Sequence, residues 1–391
     1  MSKNIVFCAD GTWNGPDEDK ADRDHTSNPT NVFKLFENLA GAEETETASQ
    51  SAKERERVLT EDGSVVQHAK YLHGVGDSTN PLVELVGGVL GTGLIARIVR
   101  GYTFLSRNYA EGDRIFIIGF SRGAYTARAL AGLIAGMGLL NARKINLADK
   151  GGAYKLGAAV WHAQRQQRLQ DNPDWLGKIE QIVEDAPGFF TSPPPADQLV
   201  KVQIDTVAVW DTVGALGIPE YNVKEHARVD SLQFVDLTLS PKVSRGFHAV
   251  AVDEMREDFT PTLWHPDPGR ITQMLFPGAH GDGGGGYPET NDESGLSGGT
   301  LAWMREELAR RGVQFTAPTH LPKPDAKGMA HCPWIHWPWD ELLHGTPRMF
   351  RGEDGLDVSP AVRRRMAASE VPVEGGPPAR YNPPNLPPSQ P

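Results

Sequence analysis

The stretch Ile115-Phe116-Ile117-Ile118-Gly119-Phe120-Ser121-Arg122-Gly123-Ala124-Tyr125-Thr126-Ala127-Arg128 decides the fold. Its first six residues form an apolar run that follows the turn pair Gly112-Asp113, and a run of that length reads as a buried central strand. From Ala124 to Ile134 the pattern becomes helical. Between strand and helix stands G-x-S-x-G, Gly119 to Gly123, in the setting that a nucleophile elbow requires. There the serine sits in a strained turn, and a glycine two residues to either side removes a Cβ that would collide as strand becomes helix. A phosphate-binding turn is the competing reading, but the Lys of G-x-x-x-x-G-K-[ST] is missing.

A serine hydroxyl is a weak nucleophile until a base takes its proton, so the motif calls for a carboxylate and a histidine later in the chain. Asp211 follows an apolar run and precedes Thr212-Val213-Gly214, which puts it at a strand's carboxyl end on the same sheet edge as Ser121. His280 opens the glycine-rich loop Gly281-Asp282-Gly283-Gly284-Gly285-Gly286-Tyr287, which follows a short strand. The plain alternatives are an aspartate that opens a turn and one ordinary histidine among twelve. His248, with Asp253 five residues on, is the reserve base, and Asp282 the reserve acid. An oxyanion hole needs two backbone N–H groups. Arg122, directly after the nucleophile, supplies one, and the turn at Gly11 and Thr12 is the expected source of the other, unless it only ends its strand.

Outward from this centre the strand signals are Ile5 to Ala9, Val202 to Val209 and Met274 to Phe276. Helical spacing appears at Val32, Leu35, Phe36 and Leu39, at Ile95 to Leu105, and at Leu301 to Arg310. Strands alternating with helices imply an α/β fold, a mainly parallel sheet of α/β-hydrolase type with helices on both faces. Glu43 to Asp62 is polar and reads as an exposed loop or insertion. A catalytic domain over 1–350 is expected, with 143–199 as a cap insertion whose Phe189 and Phe190, beside Pro193-Pro194-Pro195, could line an acyl pocket. The Pro-rich tail 371–391 is expected to be disordered.

Composition excludes several classes. The 391 residues are 39% hydrophobic, with 9 Trp and 14 Phe, enough for a large core. A net charge of −11 argues against nucleic acid as a partner. Cys8 and Cys332 are the only cysteines, too few for a disulfide framework and compatible with a reducing cytoplasm. No signal peptide is readable at Met1, and the most apolar stretch, Ala129 to Leu140, is too short for a bilayer span of about 20 residues. Gly91-Thr92-Gly93-Leu94-Ile95-Ala96 fits a dinucleotide-binding motif but lacks a preceding strand. Asp10, Thr12, Asn14 and Gly15 begin like a calcium loop but end on Ala21, where a bidentate Glu is needed. His331, Cys332, His336 and His344 alternate with Trp334, Trp337 and Trp339 and read as a packing segment. No metal and no cofactor is expected.

Cys8-Ala9-Asp10-Gly11-Thr12-Trp13-Asn14, Asn28-Pro29-Thr30-Asn31-Val32, Ser106-Arg107-Asn108-Tyr109, the Gly119 to Arg128 segment, Trp210-Asp211-Thr212-Val213-Gly214-Ala215 and His280 to Tyr287 occur in this order. Together they resemble the α/β-hydrolase domain of a family, formerly of unknown function, that includes the catalytic part of bacterial type VI secretion phospholipase effectors. The resemblance runs from about Ile5 to about Gly312. It implies a serine-dependent lipid esterase with Ser121 as nucleophile, Asp211 as acid and His280 as base. It also implies a lipid or other ester substrate, peripheral membrane contact, a secretion-system or immunity partner, and export of a cytoplasmically made chain by a dedicated machine. The rival from another class is a non-catalytic binding module that keeps the hydrolase shape, against which the joint presence of Ser, Asp and His argues.

Overall fold

Alternating apolar residues on consecutive parallel strands require cover on both faces of a sheet, and the arrangement supplies it. The computed structural model describes residues 2–11, 28–44, 54–74, 89–171, 192–213, 237–317, 321–336 and 345–387. Its strands are β1 (Asn4–Ala9), β2 (Ala42–Glu43), β3 (Glu54–Glu61), β4 (Ser64–Leu72), β5 (Arg114–Phe120), β6 (Leu139–Leu140), β7 (Leu199–Val200), β8 (Ile204–Trp210), β9 (Val243–Ala251), β10 (Ile271–Phe276) and β11 (Leu356–Val358). Among the described residues, nine of them form one sheet in the order β11-β10-β9-β8-β5-β1-β4-β3-β2, while β6 and β7 pair separately. From β11 to β4 all neighbours are parallel, and only β3 and β2 add antiparallel edges.

One sheet face carries Ile5, Phe7, Ile115, Ile117, Val207 and Val209, packed in one core with residues of α2 (Val89–Asn108), α3 (Arg122–Met137) and α4 (Lys150–Asp171). The opposite face carries Val6, Cys8, Phe116, Ile118, Phe120 and Trp210 against α1 (Asn31–Glu37) and α6 (Gly295–Arg310). The period of two along each strand thus feeds two cores, giving the α/β three-layer architecture expected from sequence. Among the described residues, no helix is long and apolar enough to cross a membrane.

Two expectations need correction. Glu43 to Asp62 is not a loop throughout: Glu54–Glu61 and Ser64–Leu72 form a hairpin on the turn Asp62-Gly63, whose φ values are 48° and 73°. Such an Asp-Gly turn has the handedness that matches strand twist. The charges on β3 disguise it, because Glu54 and Glu56 pair with Lys70 while Arg55 lies over Phe33. The tail is not disordered up to residue 387. Val371 and Ala379 exchange backbone bonds, Tyr381 donates to Asp253, and Asn385 Nδ2 donates to the Val252 carbonyl at 2.9 Å. A Pro-rich segment needs no core of its own when its polar groups find partners on a folded surface. Within 143–199, α4 packs into the main core beside α2 and α3 through Ala153, Val160 and Trp161. Phe189 and Phe190 lie outside the described residues.

Candidate active site

Strands β5 and β8 run parallel with Phe120 opposite Trp210, so Ser121 and Asp211 leave the sheet side by side at its carboxyl edge. The Ser121 N–H donates to the Trp210 carbonyl at 3.1 Å, and the Asp211 N–H donates to that of Ala249 at 2.7 Å. Both residues have positive φ, 57° and 35°, a conformation that costs a non-glycine residue about 1–3 kcal/mol. Ser121 stands at the start of α3, yet its hydroxyl makes no bond to cap that helix. The elbow is tight. A Cβ on Gly119 would lie 2.6 Å from the Gly123 carbonyl carbon, and one on Gly123 would lie 2.5 Å from the Asp10 carbonyl oxygen, so neither site has room for a side chain.

His280 opens α5 (His280–Gly284), shortly after β10 ends. Its N–H donates to Glu254 Oε2 at 3.1 Å, and its Nδ1–H donates to Asp211 Oδ2 at 2.5 Å. The ring is held between Phe120 and Phe259, with centroid distances of 4.6 and 4.9 Å. Because Phe120 immediately precedes Ser121, this contact brings the imidazole to the elbow. Nδ1 faces the carboxylate, which leaves Nε2 as the nitrogen available to a nucleophile.

A residue without a role in the sequence reading holds Asp211. Arg348 Nη1 donates to Asp211 Oδ1 at 2.7 Å and Nη2 to Oδ2 at 2.8 Å, while the Ala251 N–H reaches Oδ1 at 3.0 Å. Burial alone would raise the Asp211 pKa, but the Arg348 charge and the His280 bond hold it well below the usual carboxylate range. Burial pushes the His280 imidazole down from its ordinary value, with Asp211 opposing the shift. Glu254, buried but paired with Arg256, is held down at about 2.

The reserve residues serve other partners. His248 is fully buried in β9, where Nε2 accepts the Thr212 N–H at 3.0 Å and Nδ1 faces Gln273 Oε1 at 3.3 Å; burial lowers it to about 3. Asp253 accepts from the Gly278 N–H and from Tyr381. Asp282 accepts from the Ala279 and His331 N–H groups and from His331 Nδ1 at 2.7 Å, while Tyr287 stacks on the His331 ring.

Gly11 lies beside Ser121, a Cβ there being 3.4 Å from the Ser121 Cβ. Its N–H is nevertheless turned inward to Asp10 Oδ1 at 2.6 Å, because the buried Asp10 carboxylate also gathers the Thr30 and Tyr71 hydroxyls. The expectation that Gly11 itself supplies the second oxyanion donor is therefore revised; Thr12 lies outside the described residues. The Gly91-Thr92-Gly93 segment belongs to α2 and not to a strand-to-helix turn. No group of three or more His, Cys, Asp or Glu able to hold a metal occurs among the described residues.

An uncharacterized protein of Saccharomyces cerevisiae is 25% identical over 290 residues, 68% of this chain and 33% of that protein, so the chain spans about a third of this relative's length. Two solved structures are similar. One is the Tle1 effector bound to the VgrG spike of the Type 6 secretion system (18% identity, TM-score 0.38, 74% of this chain, 52% of that one). The other is an uncharacterized protein from Pseudomonas aeruginosa (16% identity, TM-score 0.40, 81% of this chain, 47% of that one). Residues 3–307 match the family described as type VI secretion system phospholipase effector Tle1-like, catalytic domain, and the chain belongs to that family.

Proposed function

We propose that this protein is a serine-dependent carboxylic ester hydrolase that acts on lipid esters, phospholipids among them. The observation that carries the proposal is the meeting of three elements at one sheet edge: the positive-φ serine of the elbow, Asp211 on the adjacent strand, and an imidazole whose Nδ1 is bonded to that aspartate. In this reading His280 Nε2 takes the proton from Ser121 Oγ as the oxygen attacks the ester carbonyl, then returns it to the leaving alcohol. Water, activated by the same base, releases the acyl group from Ser121. Asp211 fixes the tautomer and stabilises the imidazolium that forms. The Arg122 N–H is proposed as one oxyanion donor and Thr12 as the source of the second. Phe189 and Phe190 are proposed to line the acyl site. Membership of a phospholipase effector family supports the lipid substrate and makes a secretion-system partner and export by that machine the corresponding proposals.

The test is labelling by a fluorophosphonate probe, together with hydrolysis of a panel from short aryl esters to phospholipid vesicles, in the wild type and Ser121→Ala. The expected result is labelling and turnover in the wild type and neither in the variant. Unlabelled wild-type protein would favour a binding module that keeps the fold.

A further inference from the structure

Arg348 stands beyond the matched family segment, 3–307, in a stretch without regular structure, yet its guanidinium reaches the acid of the proposed triad. It is nearly fully buried, with a side chain 4% exposed, and grips both Asp211 oxygens. The same guanidinium is anchored from behind: Nη1 donates to the Ala251 carbonyl at 2.7 Å and Nη2 to that of Phe259 at 2.5 Å. Phe259 is also the ring that packs on His280. One side chain thus ties together the end of β9, the turn that carries Phe259, and the carboxylate that orients the base.

We propose that Arg348 is a positioning residue of the hydrolase, whose fork holds Asp211 in one rotamer against His280 Nδ1 and neutralises its charge, so that His280 stays a neutral base in mildly acidic medium. The inference rests on the triad reading of Ser121, His280 and Asp211. A lysine would bring the charge without the fork, because an ammonium cannot hold two carboxylate oxygens in one plane. A glutamine removes the charge, leaving the Asp211 anion free to favour the imidazolium.

The other charged groups near His280 have partners of their own, and of them Glu254 also feels the Arg348 charge. Glu254, which accepts the His280 N–H, is paired with Arg256, and Asp282 is turned to Ala279 and His331. A change in His280 basicity on substitution is therefore assigned to the loss of the Arg348 charge, which Asp211 meets directly.

The experiment records kcat and KM for a soluble ester against pH in the wild type, Ser121→Ala, Arg348→Gln and Arg348→Lys, with circular dichroism as the check on folding. Arg348→Gln is expected to move the acid limb of kcat/KM up by about one pH unit. It should also lower kcat about 10- to 100-fold, at little cost in KM. Arg348→Lys is expected to keep the wild-type acid limb and still lose kcat. An inactive Ser121→Ala with an unmoved acid limb in Arg348→Gln, or with full kcat in Arg348→Lys, would overturn the role of Arg348 and leave the triad standing. An active Ser121→Ala would overturn the triad itself. Should Arg348→Gln not fold, the kcat of Arg348→Lys decides.

Discussion

Gly123→Ala tests how tightly the elbow is built. The added methyl would lie 2.5 Å from the Asp10 carbonyl oxygen and closer still to that of Ala9. Neither carbonyl is free to yield, since Ala9 belongs to β1, paired on both sides, and the Asp10 oxygen accepts a bond from Arg97 Nη2 at 2.5 Å. Restoring an ordinary contact of 3.4 Å from 2.5 Å at Asp10 takes about 0.9 Å, and the closer Ala9 carbonyl demands more, so the start of α3 moves by at least about 0.9 Å. Overpacking of this kind costs about 1–3 kcal/mol of stability. The displaced turn carries Ser121 and the Arg122 N–H, and a misplacement of about 1 Å is worth about 100-fold in rate, close to 2.7 kcal/mol of barrier. The assay is kcat/KM on a soluble ester with urea unfolding in parallel. Gly299→Ala in α6 is the control: a Cβ there meets nothing within 4 Å, so activity should hold and stability rise by about 0.5–1 kcal/mol. A Gly123→Ala protein with wild-type rate and stability would refute the argument.

Other outcomes follow from the same geometry. His280→Ala and Asp211→Asn are each expected to lower kcat at least about 100-fold, whereas His248→Ala should affect stability more than rate; an active His280→Ala enzyme would misplace the base. Because burial lowers the His280 pKa from the ordinary 6.5 and the proposed base works as the neutral ring, the acid limb of kcat/KM should be centred below pH 6.5; a limb centred above 6.5 would contradict this. Asp253 shows the opposite sign, burial pushing its carboxyl up to about 6 from 3.8. Its proton stabilises the folded state at low pH, and that contribution, about 3 kcal/mol, is lost as pH rises through 6. Asp253→Asn should therefore gain stability relative to the wild type between about pH 4 and 7 in urea titrations, and identical pH dependence in the two proteins would count against it. Replacing Phe189 and Phe190 together by Asp should depress kcat/KM for long-chain esters far more than for acetates, since each lost methylene contact is worth up to about 0.8 kcal/mol; equal losses would remove that segment from the acyl site.

The elbow, the strand-end position of Asp211, the glycine-rich loop after His280 and the alternation of strands with helices are legible in the sequence because each is local. An apolar run, a glycine pair or a residue at the end of a strand writes its role into its neighbours. Strands with weaker apolar signals were harder to read. β3 hides its period of two under Glu and Arg, although Asp62-Gly63 marks the hairpin, and β9 interrupts its apolar run with the buried His248. Nothing local distinguishes Arg348, or the Tyr381 that bonds Asp253, because their partners lie 137 and 128 residues away. The inward turn of the Gly11 N–H depends likewise on Asp10 being buried under Tyr71, 61 residues on. Periodicity and turn chemistry act over a few residues and set the sheet and the elbow. The electrostatics of buried charge act through space, so which groups surround Asp211 and His280, and how strongly each holds its proton, were decided only when the chain closed.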